Sequence, residues 1–269
     1  MTPRQWRTWQ YGANPLTQYV RLWMPSDNDR EEFPVAVLVH GGFWRNIYSI
    51  DNSCHDTLAP FLCSKGFAVI DSEYRRSDHE GGGYPGTNED VLHAVNSAKE
   101  MVREGIPLNL DRIVLIGHSA GATLALWYAA KVKSDKDLIC PRLIVAIAPI
   151  TDVRQAQTRQ ICEEQDAIAF YMKCKPEDGF EAETTYSSAS PIHLLPNKVR
   201  SIVVAGRMDT IVPYDMITSY FDQVKDNSEY GPRHELLELD ADHFQMVDAQ
   251  HPAFQSIFTR IEARLCSGE

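Results

Sequence analysis

Short runs of apolar, often β-branched residues recur along the chain, and longer stretches that suit helices separate them. Such runs are typical of strands that are buried on both faces. The predicted strands are Val35–Val39, Phe67–Ile70, Ile113–Ile116, Leu143–Ile147, Ser201–Ala205 and Glu235–Leu239. The predicted helices are His55–Lys65, Glu89–Arg103, Ala120–Val132, Tyr214–Lys225 and Pro252–Leu265. This alternation predicts an α/β fold, a mostly parallel sheet with helices on both faces.

Two segments depart from the alternation. Gln18–Trp23 precedes the first buried run and indicates an added antiparallel edge strand. The stretch between Ile150 and Arg200 is polar, helix-like over Val153–Lys173, and too long for an ordinary connection. We therefore expect a single domain over residues 1–269, with a small helical cap inserted at about 151–200.

The most informative motif is G-x-S-x-G over residues 117–121, between a predicted strand and a predicted helix. A serine nucleophile needs a sharp strand-to-helix turn, and small residues two before and two after it let the backbone fold tightly. The same turn leaves the amide of Ala120 at a helix N-terminus, where it suits an oxyanion. Ser119 is thus the candidate nucleophile, and the alternative is a serine that only caps the helix.

A pair of glycines follows the first predicted buried strand, in the sequence H-G-G-F-W over residues 40–44. Consecutive glycines after a strand let backbone amides approach a ligand, which suits the second half of an oxyanion hole. Gly41 and Gly42 are the candidate donors. A plain tight turn is the alternative, and the G-x-S-x-G motif downstream argues against it.

A serine nucleophile needs a general base and a carboxylate that orients the base. In this type of fold the chain order is Ser, then Asp or Glu, then His. Asp209 and His243 both follow predicted strands and should lie at the same sheet edge as Ser119. The competing carboxylates are Asp152, Asp240 and Asp242.

The remaining histidines carry less weight as candidates. We expect His118 to point away from the nucleophile and to be structural, and His40 to shape the glycine loop by hydrogen bonding. The others are interpreted as surface or core residues: His55, His79, His93, His193, His234 and His251.

Charge and hydropathy exclude several classes of protein. The 26 basic and 37 acidic residues give a net charge of −11, and the only basic doublet is Arg75-Arg76, so no nucleic-acid partner is expected. No apolar run is long enough to span a membrane, and Met1–Gln10 is polar, unlike a secretory signal. These features favour a cytoplasmic protein with no membrane partner.

The cysteines and histidines do not form metal-binding motifs. The six cysteines include no C-x-x-C pair: Cys54, Cys63, Cys140, Cys162, Cys174 and Cys266. We interpret them as reduced thiols, with a disulfide framework as the alternative. The nine histidines include no H-E-x-x-H, and no metal site is expected.

Taken together, these motifs resemble the α/β-hydrolase superfamily, and within it the branch of arylformamidases (kynurenine formamidases) and hormone-sensitive-lipase-like esterases. The motifs that carry the resemblance are residues 40–44, 71–76, Tyr84-Pro85 with Glu89-Asp90, 117–121, Asp209 and His243. The resemblance implies the following site: Ser119 as nucleophile, Asp209 and His243 as its relay, Gly41, Gly42 and Ala120 as oxyanion donors, and Phe43 and Trp44 as pocket wall. It implies no metal and no organic cofactor.

The resemblance leaves the substrate open. H-G-G-F-W and G-H-S-A-G are similar to the arylformamidase forms, whereas residues 71–77 with Pro85 and Glu89-Asp90 look like the esterases. Aromatic side chains of the cap either line an apolar pocket or pack the cap on the body: Phe170, Tyr171 and Phe180, with Met172 beside them. We therefore predict hydrolysis of a small-molecule ester or amide, with an N-formyl aromatic amide or a short-chain ester as substrate. A non-catalytic small-molecule receptor is the alternative of another class, and the oligomeric state, a homodimer included, stays open.

Overall fold

The computed structural model describes residues 6–26, 30–132, 134–161, 166–195 and 197–266. Within these ranges eight strands form one sheet in the order β1-β2-β4-β3-β5-β6-β7-β8. The strands are β1 (Trp6–Gln10), β2 (Tyr19–Trp23), β3 (Phe33–Val39), β4 (Ala68–Ser72), β5 (Leu108–His118), β6 (Leu143–Ile147), β7 (Ser201–Gly206) and β8 (His234–Leu239). From β4 through β8 all neighbours are parallel, as the alternation predicts.

Helices cover both faces of this sheet. They are α1 (His55–Ser64), α2 (Gly86–Arg103), α3 (Ala120–Val132), α4 (Val153–Thr158), α5 (Ala167–Met172), α6 (Phe180–Ala189), α7 (Tyr214–Lys225) and α8 (Pro252–Cys266). Successive side chains of a strand point to opposite faces. In β3 the side chains of Val35 and Val37 therefore join the core under α2, α3 and α7, while Ala36 and Leu38 join the core under α1 and α8. The central strands are buried throughout for this reason.

One end of the sheet differs from the prediction. β2 is antiparallel to β4, as expected, but it is not the edge, because β1 pairs with its other side in antiparallel register from Trp6 opposite Trp23. The predicted strand and its antiparallel direction are confirmed, whereas its predicted position at the edge of the sheet was wrong. β1 has no buried run that could reveal it, since its residues are exposed or only partly buried.

The chain between β6 and β7 holds α4, α5 and α6, together with short 3-10 turns at Pro176–Asp178 and Pro191–Leu194. Residues 162–165 and 196 of this insertion lie outside the described ranges. Where the pattern predicted a helix-like stretch over Val153–Lys173, the described part forms two short helices. The insertion is bound to the body by hydrogen bonds, such as Tyr171 Oη to Asn88 Oδ1 at 2.6 Å and Trp127 Nε1 to the Ser188 carbonyl at 3.1 Å.

The cysteines and the helices can be compared with the predictions of reduced thiols and of no membrane span. Cys54, Cys63, Cys140 and Cys174 are free thiols, whereas Cys162 and the side chain of Cys266 lie outside the described part. No helix among the described residues has the length and apolar character needed to cross a membrane.

Candidate active site

Ser119 lies on a tight turn between β5 and α3. Its φ is 54°, in the left-handed region that costs energy for a residue with a side chain. The glycines of the motif allow this turn by close approach: a Cβ on Gly117 would lie 2.3 Å from the Gly121 carbonyl oxygen, and one on Gly121 would lie 2.1 Å from the Val39 carbonyl oxygen. The Ser119 amide donates to the Ile147 carbonyl at 2.8 Å, which fixes the turn to β6. This is the geometry that a nucleophile elbow requires.

The glycine loop after β3 lies directly beside Ser119. A Cβ on Gly41 would be 3.0 Å from Ser119 Cβ and 2.9 Å from the His118 carbonyl oxygen, so only glycine fits there. The next residues are left-handed in succession, with φ of 105° at Gly42, 50° at Phe43 and 55° at Trp44. Such a run is strained and needs support from its surroundings. Ala120, as first residue of α3, has no acceptor for its amide within the helix.

Trp44 does not form a pocket wall, contrary to the prediction. Its side chain is 0% exposed and stacks on Tyr171 of α5, with ring centroids 4.0 Å apart and an interplanar angle of 7°. Trp44 therefore fastens the glycine loop to the insertion. Phe43 is partly buried against the core.

A buried polar network supports the glycine loop from below. His40 Nε2 lies 3.0 Å from Glu73 Oε1, and the other oxygen of Glu73 accepts the Ile50 amide at 3.2 Å. The guanidinium of Arg76 also binds Glu73. Tyr74 stacks on the His40 ring and donates to the His40 carbonyl at 2.7 Å. His40 thus holds the loop by hydrogen bonds, and burial lowers its pKa to about 3, which is unsuited to a base at neutral pH.

Asp209 and His243 form a buried pair at the ends of β7 and β8. His243 Nδ1 lies 2.7 Å from Asp209 Oδ2, and the Asp209 side chain is 0% exposed. The other oxygen of Asp209 accepts the backbone amides of Ile211 at 2.8 Å and Val212 at 3.0 Å. These bonds hold the carboxylate so that it orients the imidazole and leaves Nε2 for a proton transfer.

The competing carboxylates are engaged elsewhere. Asp152 caps α4 through the Gln155 amide, and Asp240 pairs with Arg207 at the surface. Asp242 accepts the amides of Phe244 and Gln245, at 3.0 Å and 2.9 Å, which shapes the turn after His243. Among the described carboxylates, Asp209 is the one whose oxygen bonds the His243 ring.

Two histidines near the site have contacts that the sequence did not reveal. The ring of His118, which was expected to be structural, lies against His243: the two ring centroids are 4.5 Å apart, and His118 Nε2 lies 3.0 Å from the His243 carbonyl oxygen. His55 binds Asp71 at 2.6 Å, with both side chains buried. Neither contact has a sequence signature, because β5, α1 and β4 bring together residues that are distant in the chain.

In the described part of the chain no group of three or more His, Cys, Asp or Glu residues is arranged to hold a metal ion. The groups that this site offers for chemistry are the Ser119 hydroxyl, the His243 imidazole, the Asp209 carboxylate and backbone amides.

This sheet order, the elbow and the insertion after β6 define an α/β-hydrolase fold, which solved structures confirm. Esterase B from Lactobacillus rhamnosis superposes with a TM-score of 0.75 at 18% identity, covering 98% of this chain and 88% of that one. A bifunctional GH43-CE protein from Bacteroides eggerthii gives 0.77 at 18% identity, covering 96% of this chain and 38% of that one.

Sequence comparison assigns the family. The BD-FAE family matches residues 20–222, and the chain belongs to this family. An ethyl acetate hydrolase from Pseudomonas putida is 33% identical over 135 residues, which cover 49% of this chain and 41% of the relative. The matched stretch thus spans less than half the length of that curated relative.

Proposed function

We propose that the protein is a serine hydrolase that cleaves small carboxylic esters through an acyl-enzyme. The observation that carries this proposal is the buried His243–Asp209 pair, with Nδ1 2.7 Å from Oδ2, at the same sheet edge as the left-handed Ser119. The named activity of the Pseudomonas relative, hydrolysis of ethyl acetate, supports a short acyl group and a small alcohol.

In this mechanism His243 Nε2 takes the proton of Ser119 Oγ as that oxygen attacks the ester carbonyl. The negative charge on the carbonyl oxygen is bound by amides of the glycine loop and of Ala120. The carbon–oxygen bond to the alcohol then breaks, and the alcohol leaves with the proton from His243. Water, activated by the same imidazole, hydrolyses the acyl-serine and restores the enzyme.

The experiment compares the wild type with Ser119→Ala on p-nitrophenyl acetate and butyrate. We expect the variant to lose about 10⁵-fold or more in kcat, because nucleophile and base act as a unit. Ser256→Ala is the matched control, since its hydroxyl lies on α8 and bonds the Pro252 carbonyl. A fluorophosphonate probe should label the wild type and Ser256→Ala but not Ser119→Ala. An unlabelled wild type would support the receptor alternative.

A second candidate substrate is an N-formyl aromatic amide. The observation that favours it is the H-G-G-F-W loop, whose likeness is to the arylformamidases and whose Trp44 is fixed by Tyr171 of the insertion. The test is kcat/KM for N-formyl-L-kynurenine beside the two esters. A preference of about a hundredfold for the amide, equal to about 2.7 kcal/mol, would make the protein an arylformamidase. Turnover of the esters alone supports the esterase function.

A further inference from the structure

We infer that His118 is a positioning residue that holds His243 in place for proton transfer, an inference that rests on the hydrolase function proposed above. His118 is the last residue of β5 and directly precedes Ser119. The hydrogen bond of its ring goes to the His243 carbonyl oxygen and not to a reacting atom. Its effect on the reaction would run through His243.

The contact between the two histidines involves both backbone and ring. A carbonyl oxygen can only accept, so the 3.0 Å contact with His243 requires that His118 Nε2 carries the hydrogen and donates it. The two rings also pack, with centroids 4.5 Å apart at 47°. Asp209 fixes the side chain of His243, whereas His118 fixes its backbone. The two together leave the imidazole little freedom to turn or shift.

His118 also lies beside the glycine loop, at Gly41. A Cβ on Gly41 would lie 3.3 Å from His118 Nδ1 and 2.9 Å from its carbonyl oxygen. His118 therefore lies next to Gly41, Ser119 and His243. A shift of His118 would change the distances between the proposed oxyanion donor, the nucleophile and the base. Misplacement of such groups by about 1 Å can cost about a hundredfold in rate.

The charge state of His118 is compatible with this role. Desolvation lowers its pKa well below the ordinary value of 6.5, and the nearby His243 and His55 lower it further. A neutral ring does not repel the imidazolium that forms on His243 during the reaction. The neutral form also has one hydrogen, which the carbonyl contact assigns to Nε2.

The test is a pair of variants of similar shape. His118→Gln retains a donor at the position of Nε2, and His118→Met does not. We expect His118→Met to lose about 10- to 100-fold in kcat with KM within about threefold, and His118→Gln to remain within about threefold in both. Equal losses in the two variants, or none in either, would overturn the inference.

A second measurement does not need turnover. In the Ser119→Ala background, the low-field proton resonance of His243 Nδ1 bonded to Asp209 reports the position of the imidazole. We expect His118→Met to shift or broaden it and His118→Gln to retain it, and an unchanged resonance in His118→Met would contradict the positioning role. If His118→Met does not fold, His118→Phe provides a ring without a donor. If the wild type shows no turnover that depends on Ser119, the hydrolase function is refuted. The positioning of His243 by His118 is still tested in that case, because the resonance does not depend on turnover.

Discussion

The sheet edge around Ser119 and the insertion between β6 and β7 are stabilised in different ways. At the sheet edge the polar groups are buried and bonded several times, as the carboxylates of Asp209 and Glu73 show. The insertion carries exposed ion pairs, Arg154–Glu183 and Lys175–Asp166, which contribute little to stability. Its firm contacts with the body come from aromatic residues such as Tyr171. From this difference we predict that changes at the sheet edge alter the rate of the reaction, whereas changes in the insertion alter substrate binding.

After the loss of the nucleophile itself, the largest expected effect is at the carboxylate of Asp209. Asp209→Asn keeps an oxygen for the amides of Ile211 and Val212 but can offer an NH₂ group to His243, which favours the wrong tautomer. We expect kcat to fall by about 10³- to 10⁴-fold, measured on p-nitrophenyl acetate, with little change in melting temperature. Asp240→Asn is the control because its side chain is 79% exposed, and it should stay within about twofold. A larger loss of kcat in Asp240→Asn than in Asp209→Asn would show that Asp209 is not the carboxylate that orients His243.

The second effect concerns the glycine loop. In Gly41→Ala the added methyl group would lie 3.0 Å from Ser119 Cβ, so loop and nucleophile must move apart. We expect kcat to fall by about a hundredfold, the size of a lost oxyanion donor. Gly105→Ala is the control: its φ is 85°, so stability falls by about 1 kcal/mol, but an added Cβ would meet no atom within 4 Å beyond its chain neighbours, and kcat should not change. Full kcat in Gly41→Ala would place the oxyanion donors elsewhere.

The sheet and the candidate site also show which features could be predicted from the sequence and which could not. The central strands, the elbow and the order Ser119, Asp209, His243 follow from local patterns, because buried parallel strands are apolar throughout and the turn requires small residues. β1 escaped prediction because its residues are largely exposed. The roles of Trp44 and His118 escaped it because they depend on Tyr171 and His243, which are remote in the chain. Such contacts exist only once the fold has formed.

A smaller effect is expected where the insertion meets the body. Tyr171→Phe removes the 2.6 Å bond to Asn88 Oδ1 inside a buried contact and retains the ring stacked on Trp44. The free energy of unfolding should fall by about 1–2 kcal/mol in urea titration. Phe180→Ser, at a side chain that is 85% exposed, is the control and should change it by less than about 0.5 kcal/mol.

The kinetic readout of Tyr171→Phe tests the comparison itself. If the insertion governs substrate entry, KM for p-nitrophenyl butyrate should change more than kcat. A loss confined to kcat would show that the insertion also shapes the catalytic groups, through Trp44 and the glycine loop.

The smallest expected effect is a pH dependence of the unfolding free energy that arises from His234. This residue begins β8, at the end of the strand opposite to His243. His234 Nε2 donates to the Asn197 carbonyl at 2.9 Å, Nδ1 faces Ser201 Oγ at 2.8 Å, and burial lowers the pKa of His234 below 6.5. As the pH falls below 6.5 the unfolded chain takes up this proton before the folded one does. The stabilisation is therefore complete above that pH and declines below it, by at most about 1.4 kcal/mol per pH unit.

His234→Gln keeps a donor for Asn197 and does not titrate, so its unfolding free energy should fall less steeply between pH 6.5 and 5. Its ester turnover at pH 7.5 should equal that of the wild type, because the change lies in the body but away from Ser119. Identical slopes in the two proteins would show that His234 does not contribute to the acid sensitivity.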